Sequence, residues 1–186
     1  PIAESEVLEH GALRTVTPPA RVRNEGERER MWAAVRSGAF SHFSTDHAPS
    51  TAAQKADGDF WEAPFGLPGL DTTFPFLVDA ALTGRIGLSD VAYLASAAPA
   101  ARYGLAQMEG AIRPGADADI VLVDPDGSWT VRDDEILSKA GWSPYAGRSF
   151  AGRVVATYLR GDEIARDGRP HGEASGRFVP GQGSRK

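Results

Sequence analysis

The sequence predicts an α/β protein, on three observations. A β-leaning run, a helical stretch and a second β-leaning run follow one another between residues 13 and 45, the rhythm of a βαβ unit with parallel strands. Residues 73–83 then keep a helical period, apolar on one side. From Ile112 the hydrophobic period changes to two, which marks strands.

Taken in order, residues 13–16 (Leu-Arg-Thr-Val) are β-leaning, and Pro18-Pro19 stops them because proline cannot continue a ladder. Residues 25–37 read as a helix with Met31, Ala34 and Val35 as its apolar stripe and Gly38 in the stop position. Residues 40–45 are the next expected strand. Phe76, Leu77, Ala80 and Ala81 face inward from the helix at 73–83, which Gly84 ends. Ser89 is the expected N-cap of a helix over 90–95, and Pro99 suits the first turn of another that Gly104 closes. Residues 120–123, 128–131, 153–160 and 162–166 read as strands, with turns at Asp126-Gly127 and Gly161-Asp162. Residues 154–159 are the strongest of these on β-branched and aromatic content. Trp142-Ser143-Pro144-Tyr145 reads as a packing segment. Residues 171–186 are rich in Gly, Arg, Ser and Pro, so they are expected to drape over a neighbour or stay disordered.

Composition bounds the function. The chain is 41% hydrophobic and 24% charged, with a formal charge of -5. That acidic balance argues against a phosphate-backbone partner, so no nucleic acid is expected. No apolar run is long enough to cross a bilayer and no signal-peptide pattern is present, so no membrane role is expected and the cytoplasm is the default compartment. Zero cysteines exclude disulfides and thiolate metal sites.

Chemistry concentrates at Ser44-Thr45-Asp46-His47-Ala48-Pro49. An apolar approach leads into a carboxylate, and a Pro-containing loop follows at once. The hexapeptide admits two readings: an acid delivered by a strand end to an active site, or an Asp that caps a turn. Downstream lie a Gly/Pro loop, Ala63-Pro64-Phe65-Gly66-Leu67-Pro68-Gly69, and the turn Gly115-Ala116-Asp117-Ala118-Asp119 before a strand.

In this order, the three segments resemble those of the cyclic amidohydrolases: dihydroorotases, hydantoinases (dihydropyrimidinases) and allantoinases. The resemblance runs from about Thr15 to Gly168 and is to the carboxyl-terminal part of such an enzyme. It implies the end of a TIM-like (β/α)8 metal-dependent hydrolase barrel over residues 1–111, part of a small β-sandwich over 112–170, and a tail over 171–186. A complete barrel takes roughly 250 residues. This chain has 186, and its four histidines, His10, His42, His47 and His171, include no His-X-His pair. The chain is therefore expected to be a fragment or one piece of a split protein. The resemblance places the remaining ligands of one or two zinc ions on an amino-terminal half of the barrel, which becomes an expected partner. A homo-oligomer is expected as well.

The resemblance also implies roles. Asp46 matches the family's strand-eight Asp, a metal ligand and the general base, then acid, of ring opening. Its activity would be hydrolysis of a C–N bond in a cyclic amide, imide or ureide. Phe65 and Gly66 match the loop whose backbone grips the planar amide edge of the substrate. Thr17, before Pro18-Pro19, and Ser50, after Pro49, occupy positions where dihydroorotases carry Asn and His to hold a carboxylated ring. Those two departures leave the substrate open: dihydroorotase-like by the Ala63-Pro64-Phe65-Gly66 loop, with allantoinase or hydantoinase activity as the alternative. His47 is expected to be structural, and His42 to be partly buried and hydrogen-bonded. Asp117 and Asp119 are expected to close their turn onto the following strand rather than to bind metal. A non-catalytic homologue serving as an assembly partner, and a free-standing domain, are the rival classes.

Overall fold

Short strands alternate with helices along the chain in the computed structural model, which describes residues 2–16, 21–22, 24–57 and 60–181. β1 (Ile2–Ala3) and β2 (Arg21–Val22) pair in parallel, and α1 (Glu4–His10) lies between them in sequence. Residues 13–16 do not form the expected strand. A 3-10 turn covers Gly11–Arg14, and Thr15 donates both its N–H and its hydroxyl to Ala12 O. Those local bonds satisfy the groups that a ladder would otherwise use.

α2 (Glu25–Arg36) stands where periodicity put it. Asn24 caps it by accepting the Glu27 N–H, and Glu25 and Glu27 meet the positive end of the helix dipole. Its buried residue is Trp32, while Met31 is exposed. Trp32 stacks on Phe76 with ring centroids 5.9 Å apart, and that aromatic contact rotates the buried stripe by one residue.

Residues 40–45 carry no strand either. A parallel strand exists only through groups shared with neighbours on a ladder. Here the Phe43 N–H goes to Leu94 O at 2.9 Å, and the first ladder contact comes at His47, which bridges Leu67 in parallel. α3 (Ala52–Ala56) follows, closed at its start by a reciprocal pair: Thr51 Oγ1 accepts the Gln54 N–H and Gln54 Oε1 accepts the Thr51 N–H.

α4 (Leu70–Leu82) begins three residues before the expected start and buries Leu77, Val78 and Ala80. α5 (Leu88–Ala92) is capped at Gly87, not Ser89, with the Gly87 N–H donating to Asp90 Oδ2 at 2.8 Å. It runs through a π-turn, Tyr93–Ala97, into α6 (Ala98–Arg102). The cause of the π-turn's open carbonyl is Pro99. The Ala98 N–H reaches back to Tyr93 O, and in that register Leu94 O would be served by residue 99, which has no N–H. Leu94 O takes the Phe43 N–H instead.

The period-two region forms one four-stranded sheet in the order β3 (Ile120–Thr130), β4 (Ser149–Leu159), β5 (Asp162–Arg166), β6 (Arg169–Pro170). Asp126-Gly127 is not a turn, because β3 passes straight through it. A Cβ on Gly127 would sit 3.0 Å from Arg153 Cβ, so the glycine serves close strand approach. The β4–β5 loop is Arg160-Gly161, one residue earlier than expected, since Leu159 pairs with Asp162. Both loop residues have positive φ, 51° and 89°, and Asp167-Gly168 between β5 and β6 repeats the pattern. Two positive φ values are what a tight hairpin matched to strand twist requires.

The chain divides into two compact units. The first is Pro1–Ala39, Ser44–Leu77 and Trp129–Phe150; the second is Phe40–Phe43, Val78–Ser128 and Ala151–Lys186. Phe76 is the hub of the first, 6.0 Å from Tyr145 and 6.2 Å from Phe150, with the Arg148 guanidinium 5.1 Å from the Phe150 ring. The second is built on Val78, Ala80, Ile86, Val91, Leu94, Ala100 and Ala156. No helix of the described residues is long and apolar enough to cross a membrane.

Candidate active site

Asp46 ends the irregular segment with φ at 43°, a left-handed backbone that Asp tolerates better than most residues and that often marks functional positions. It is exposed, and it lines a cleft of about 160 Å³ together with Val16, Thr45, Thr72, Phe76, Pro144, Tyr145 and residues 66–69. All of these belong to the first unit. Among the described residues no hydrogen bond or ion pair engages the Asp46 carboxylate. Burial pushes the Tyr145 phenol above its ordinary range, so that wall of the cleft stays neutral.

The Asp46 segment and the Gly/Pro loop are stitched together at four points. Ala48 N–H donates to Leu67 O at 3.2 Å, beside the His47–Leu67 bridge. Gly66 has φ at 116°, and a Cβ there would lie 2.4 Å from Ala48 Cβ, so only glycine permits this approach. A Cβ on Gly69 would meet Thr45 O at 3.0 Å. His47 Nδ1 accepts the N–H groups of Gly69 and Leu70, each at 3.1 Å, and so caps α4 with its ring. The expectation that His47 is structural agrees with this geometry.

Gly66 uses both of its own backbone groups inside the protein. Its N–H donates to Thr15 O at 3.0 Å and its carbonyl accepts from Lys55 Nζ at 2.9 Å. Among the described residues the N–H and C=O of Phe65 take no hydrogen-bond partner, and the residue is 43% exposed. Phe65 itself is not a lining residue of the cleft, whereas Gly66 is. Ser50 does not line it either; its carbonyl accepts the Trp142 indole N–H at 2.8 Å. Thr17 lies outside the described residues.

Lys55 escaped the sequence reading. It is 1% exposed, and its Nζ lies 2.7 Å from Pro64 O, 2.9 Å from Gly66 O, 3.3 Å from Thr15 Oγ1 and 3.5 Å from Thr15 O. Desolvation lowers its pKa from the ordinary value. The available signal was Thr51-Ala52-Ala53-Gln54, a capping-box pattern that starts a helix and carries Lys55 within it.

Other titratable groups serve structure. His42 is half-buried, with Nδ1 2.9 Å from Ser41 Oγ and Nε2 3.4 Å from the Tyr103 hydroxyl. Asp119 Oδ1 accepts the Arg160 N–H at 2.6 Å, so it ties its turn to the β4–β5 loop rather than to the following strand. His171 is exposed, with Nε2 3.2 Å from Glu163 Oε1. For a divalent metal, Asp46 fits as one ligand: an open, unengaged carboxylate beside a cleft. Among the described residues no group of three or more His, Cys, Asp and Glu side chains converges on a point, so the rest of the about three ligands that a catalytic zinc needs is not supplied here.

Comparison with known proteins agrees with the motif order. The amidohydrolase family's sequence profile matches residues 6–164. An allantoinase of Rubrobacter xylanophilus is 38% identical over 178 residues, covering 95% of this chain and 38% of the relative. A D-phenylhydantoinase of Escherichia coli is 35% identical over 176 residues, covering 92% of this chain and 38% of the relative. Among solved structures, a D-hydantoinase superposes with a TM-score of 0.87 at 31% identity, over 94% of this chain and 39% of that one. An L-hydantoinase (dihydropyrimidinase) from Arthrobacter aurescens gives 0.86 at 27% identity, over 92% of this chain and 38% of that one. The chain thus spans about two fifths of the length of these relatives, and across that span it belongs to the amidohydrolase family, among the cyclic amidohydrolases.

Proposed function

We propose that this chain is the carboxyl-terminal part of a metal-dependent cyclic amidohydrolase, hydrolysing a C–N bond in a cyclic amide, imide or ureide ring. In this reading residues 1–111 are the end of the barrel, 112–170 are part of the β-sandwich and 171–186 are a tail. An amino-terminal half of the barrel is the partner that completes the metal site, and the enzyme is a homo-oligomer. The observation that carries the reading is Asp46: an unengaged carboxylate held at φ 43° against residues 66–69 of the Gly/Pro loop.

Asp46 would be one ligand of a divalent metal, zinc in this proposal, and such a metal would supply a hydroxide-like nucleophile at neutral pH. Asp46 takes a proton from the attacking water and returns it to the leaving ring nitrogen, so one carboxylate serves as base and then acid. The Phe65 N–H and C=O hold the donor–acceptor edge of the ring amide. Gly66 contributes close approach rather than its own hydrogen-bonding groups, which are already engaged. Rigid supports on both sides of the ring lower the entropic part of the barrier.

Two versions of the substrate remain within this class. The residues of the Ala63-Pro64-Phe65-Gly66 loop support a dihydroorotase-like enzyme, and the allantoinase and hydantoinase relatives support a neutral hydantoin-type ring. The test of the common reading is Asp46→Asn in the complete, metal-loaded enzyme. Metal content should stay largely in place while ring hydrolysis falls by about a thousandfold or more, since both proton transfers are lost. Near-normal turnover would remove Asp46 from the mechanism.

A further inference from the structure

We infer that Lys55 is the positioning residue that holds the Pro64–Gly66 backbone in its substrate-gripping conformation, through an ammonium shared between two loops. The inference rests on the reading that the Phe65 backbone grips the ring amide.

The geometry is that of a clamp. Lysine is almost never fully buried unless paired, and among the described residues Lys55 has no carboxylate partner in its hydrogen bonds. Its charge is met by oxygen atoms alone: the carbonyls of Pro64 and Gly66 on one side, and the carbonyl and hydroxyl of Thr15 on the other. The two carbonyls it holds most closely, at 2.7 and 2.9 Å, flank Phe65 in sequence. The Pro64 carbonyl shares its peptide with the Phe65 N–H, and the Phe65 C=O shares its peptide with the Gly66 N–H that Thr15 O accepts, so these bonds, with the Gly66 carbonyl tied to Nζ, leave the Phe65 N–H and C=O little freedom to turn. Thr15 O closes the arrangement by accepting from Gly66 N–H as well as lying near Nζ. Charge-assisted hydrogen bonds are about twice as strong as neutral ones, which makes the ammonium a stiffer tie than a hydroxyl or amide. A buried cation met by neutral oxygens is a costly way to pack a core, and a neutral side chain would pack it better. Its placement against these carbonyls makes sense as control of backbone orientation.

The clamp also explains why residues from three sequence neighbourhoods meet here. Lys55 sits nine residues beyond Asp46, on the helix that the Thr51–Gln54 caps hold. One short segment therefore carries the carboxylate at one end and the loop clamp at the other.

The experiment uses the complete metal-loaded enzyme with Lys55→Met, which keeps the length of the side chain and removes the charge, and Lys55→Arg, which keeps the charge in a different shape. Three quantities are read: kcat and KM for hydantoin, the inhibition constant of acetohydroxamate, which is directed at metal and has no ring amide edge, and amide exchange at Gly66. In Lys55→Met, Gly66 exchange should accelerate. KM should rise by roughly ten- to a hundredfold, with kcat and the acetohydroxamate constant changed far less, since binding of the ring edge is what is lost. Lys55→Arg should recover only part of the loss, because a planar fork cannot meet the same carbonyls. If both constants weaken together, Lys55 supports the site generally and the clamp is overturned. If Gly66 exchange is unchanged, Lys55 does not hold the loop and the inference fails alone. If exchange accelerates while KM stays put, the loop does not grip the ring, and that reading falls with the inference.

Discussion

Histidine 47 shows how a side chain next to a reacting group can act through architecture. Its Nδ1 accepts from two backbone donors, which places the ring proton on Nε2 and ties the Asp46 turn to the first turn of α4. His47→Ala would leave the Gly69 and Leu70 N–H groups without that acceptor. Loss of a cap of this kind destabilises by about 0.5–2 kcal/mol. The expected outcome is a lowered unfolding midpoint for the complete enzyme, partly restored by His47→Asn, which returns an acceptor oxygen. An unchanged midpoint in the alanine variant would mean that water replaces the ring without penalty. Gly66 acts through architecture too, because the 2.4 Å approach of Ala48 excludes every side chain from that position.

The β4–β5 hairpin concentrates its polar interactions on Glu163. The carboxylate accepts from Arg166 Nε at 2.8 Å and from the Tyr158 hydroxyl at 2.9 Å, with Arg166 Nη2 and His171 as further partners. The Arg166 guanidinium, then the Tyr158 hydroxyl, hold its pKa down from 4.5 to about 2. A carboxylate whose folded-state pKa is depressed stabilises the fold above its unfolded pKa, and that contribution disappears as protons bind the folded form. The hairpin's share is therefore fully present above pH 4.5 and is lost as pH falls through about 2. Unfolding midpoints followed across that window should decline less steeply in Glu163→Gln than in the parent. The group is half-buried at the surface and its Arg166 partner is exposed, so the effect should also shrink at high salt. Equal slopes in the two proteins would show that the network does not outlast screening.

Substrate choice belongs to the assembled enzyme. Ser50 turns its carbonyl to Trp142 and does not line the cleft, so a Ser50 side chain cannot read a carboxylated ring as a longer residue could. Thr17, the other position where dihydroorotases differ, is outside the described residues. The grip proposed for Phe65 uses backbone and is indifferent to those substitutions. Neutral hydantoin- or dihydropyrimidine-type rings should accordingly be opened at least as well as dihydroorotate. Ser50→His with Thr17→Asn should shift the kcat/KM ratio toward dihydroorotate, by an amount set by charge-assisted bonds of about 1.5–3 kcal/mol. The measurement is that ratio across dihydroorotate, allantoin, hydantoin and dihydrouracil. A parent enzyme strongly selective for dihydroorotate would mean that other side chains read the carboxylate.

Motif order and local periodicity were enough to read the family, the helices expected at 25–37 and 73–83, to within three residues at their ends, and the strong strand at 154–159. These are short-range properties: a helix repeats every 3.6 residues, and a loop's glycines announce its close approaches wherever the partner comes from. Partners distant in sequence were not legible. Residues 13–16 and 40–45 have β-forming side chains, yet Thr15 bonds back to Ala12 and Phe43 bonds to Leu94, so no ladder forms there. Asp126-Gly127 looks like a turn until Arg153 packs against it within β3. The capping role of the His47 ring spans 22 residues, and the burial of Lys55 against Thr15 spans 40. A pattern of side chains reports which groups want partners, whereas only folding in three dimensions assigns them. A charged side chain that reads as surface in sequence becomes buried when carbonyls from two remote loops converge to receive it.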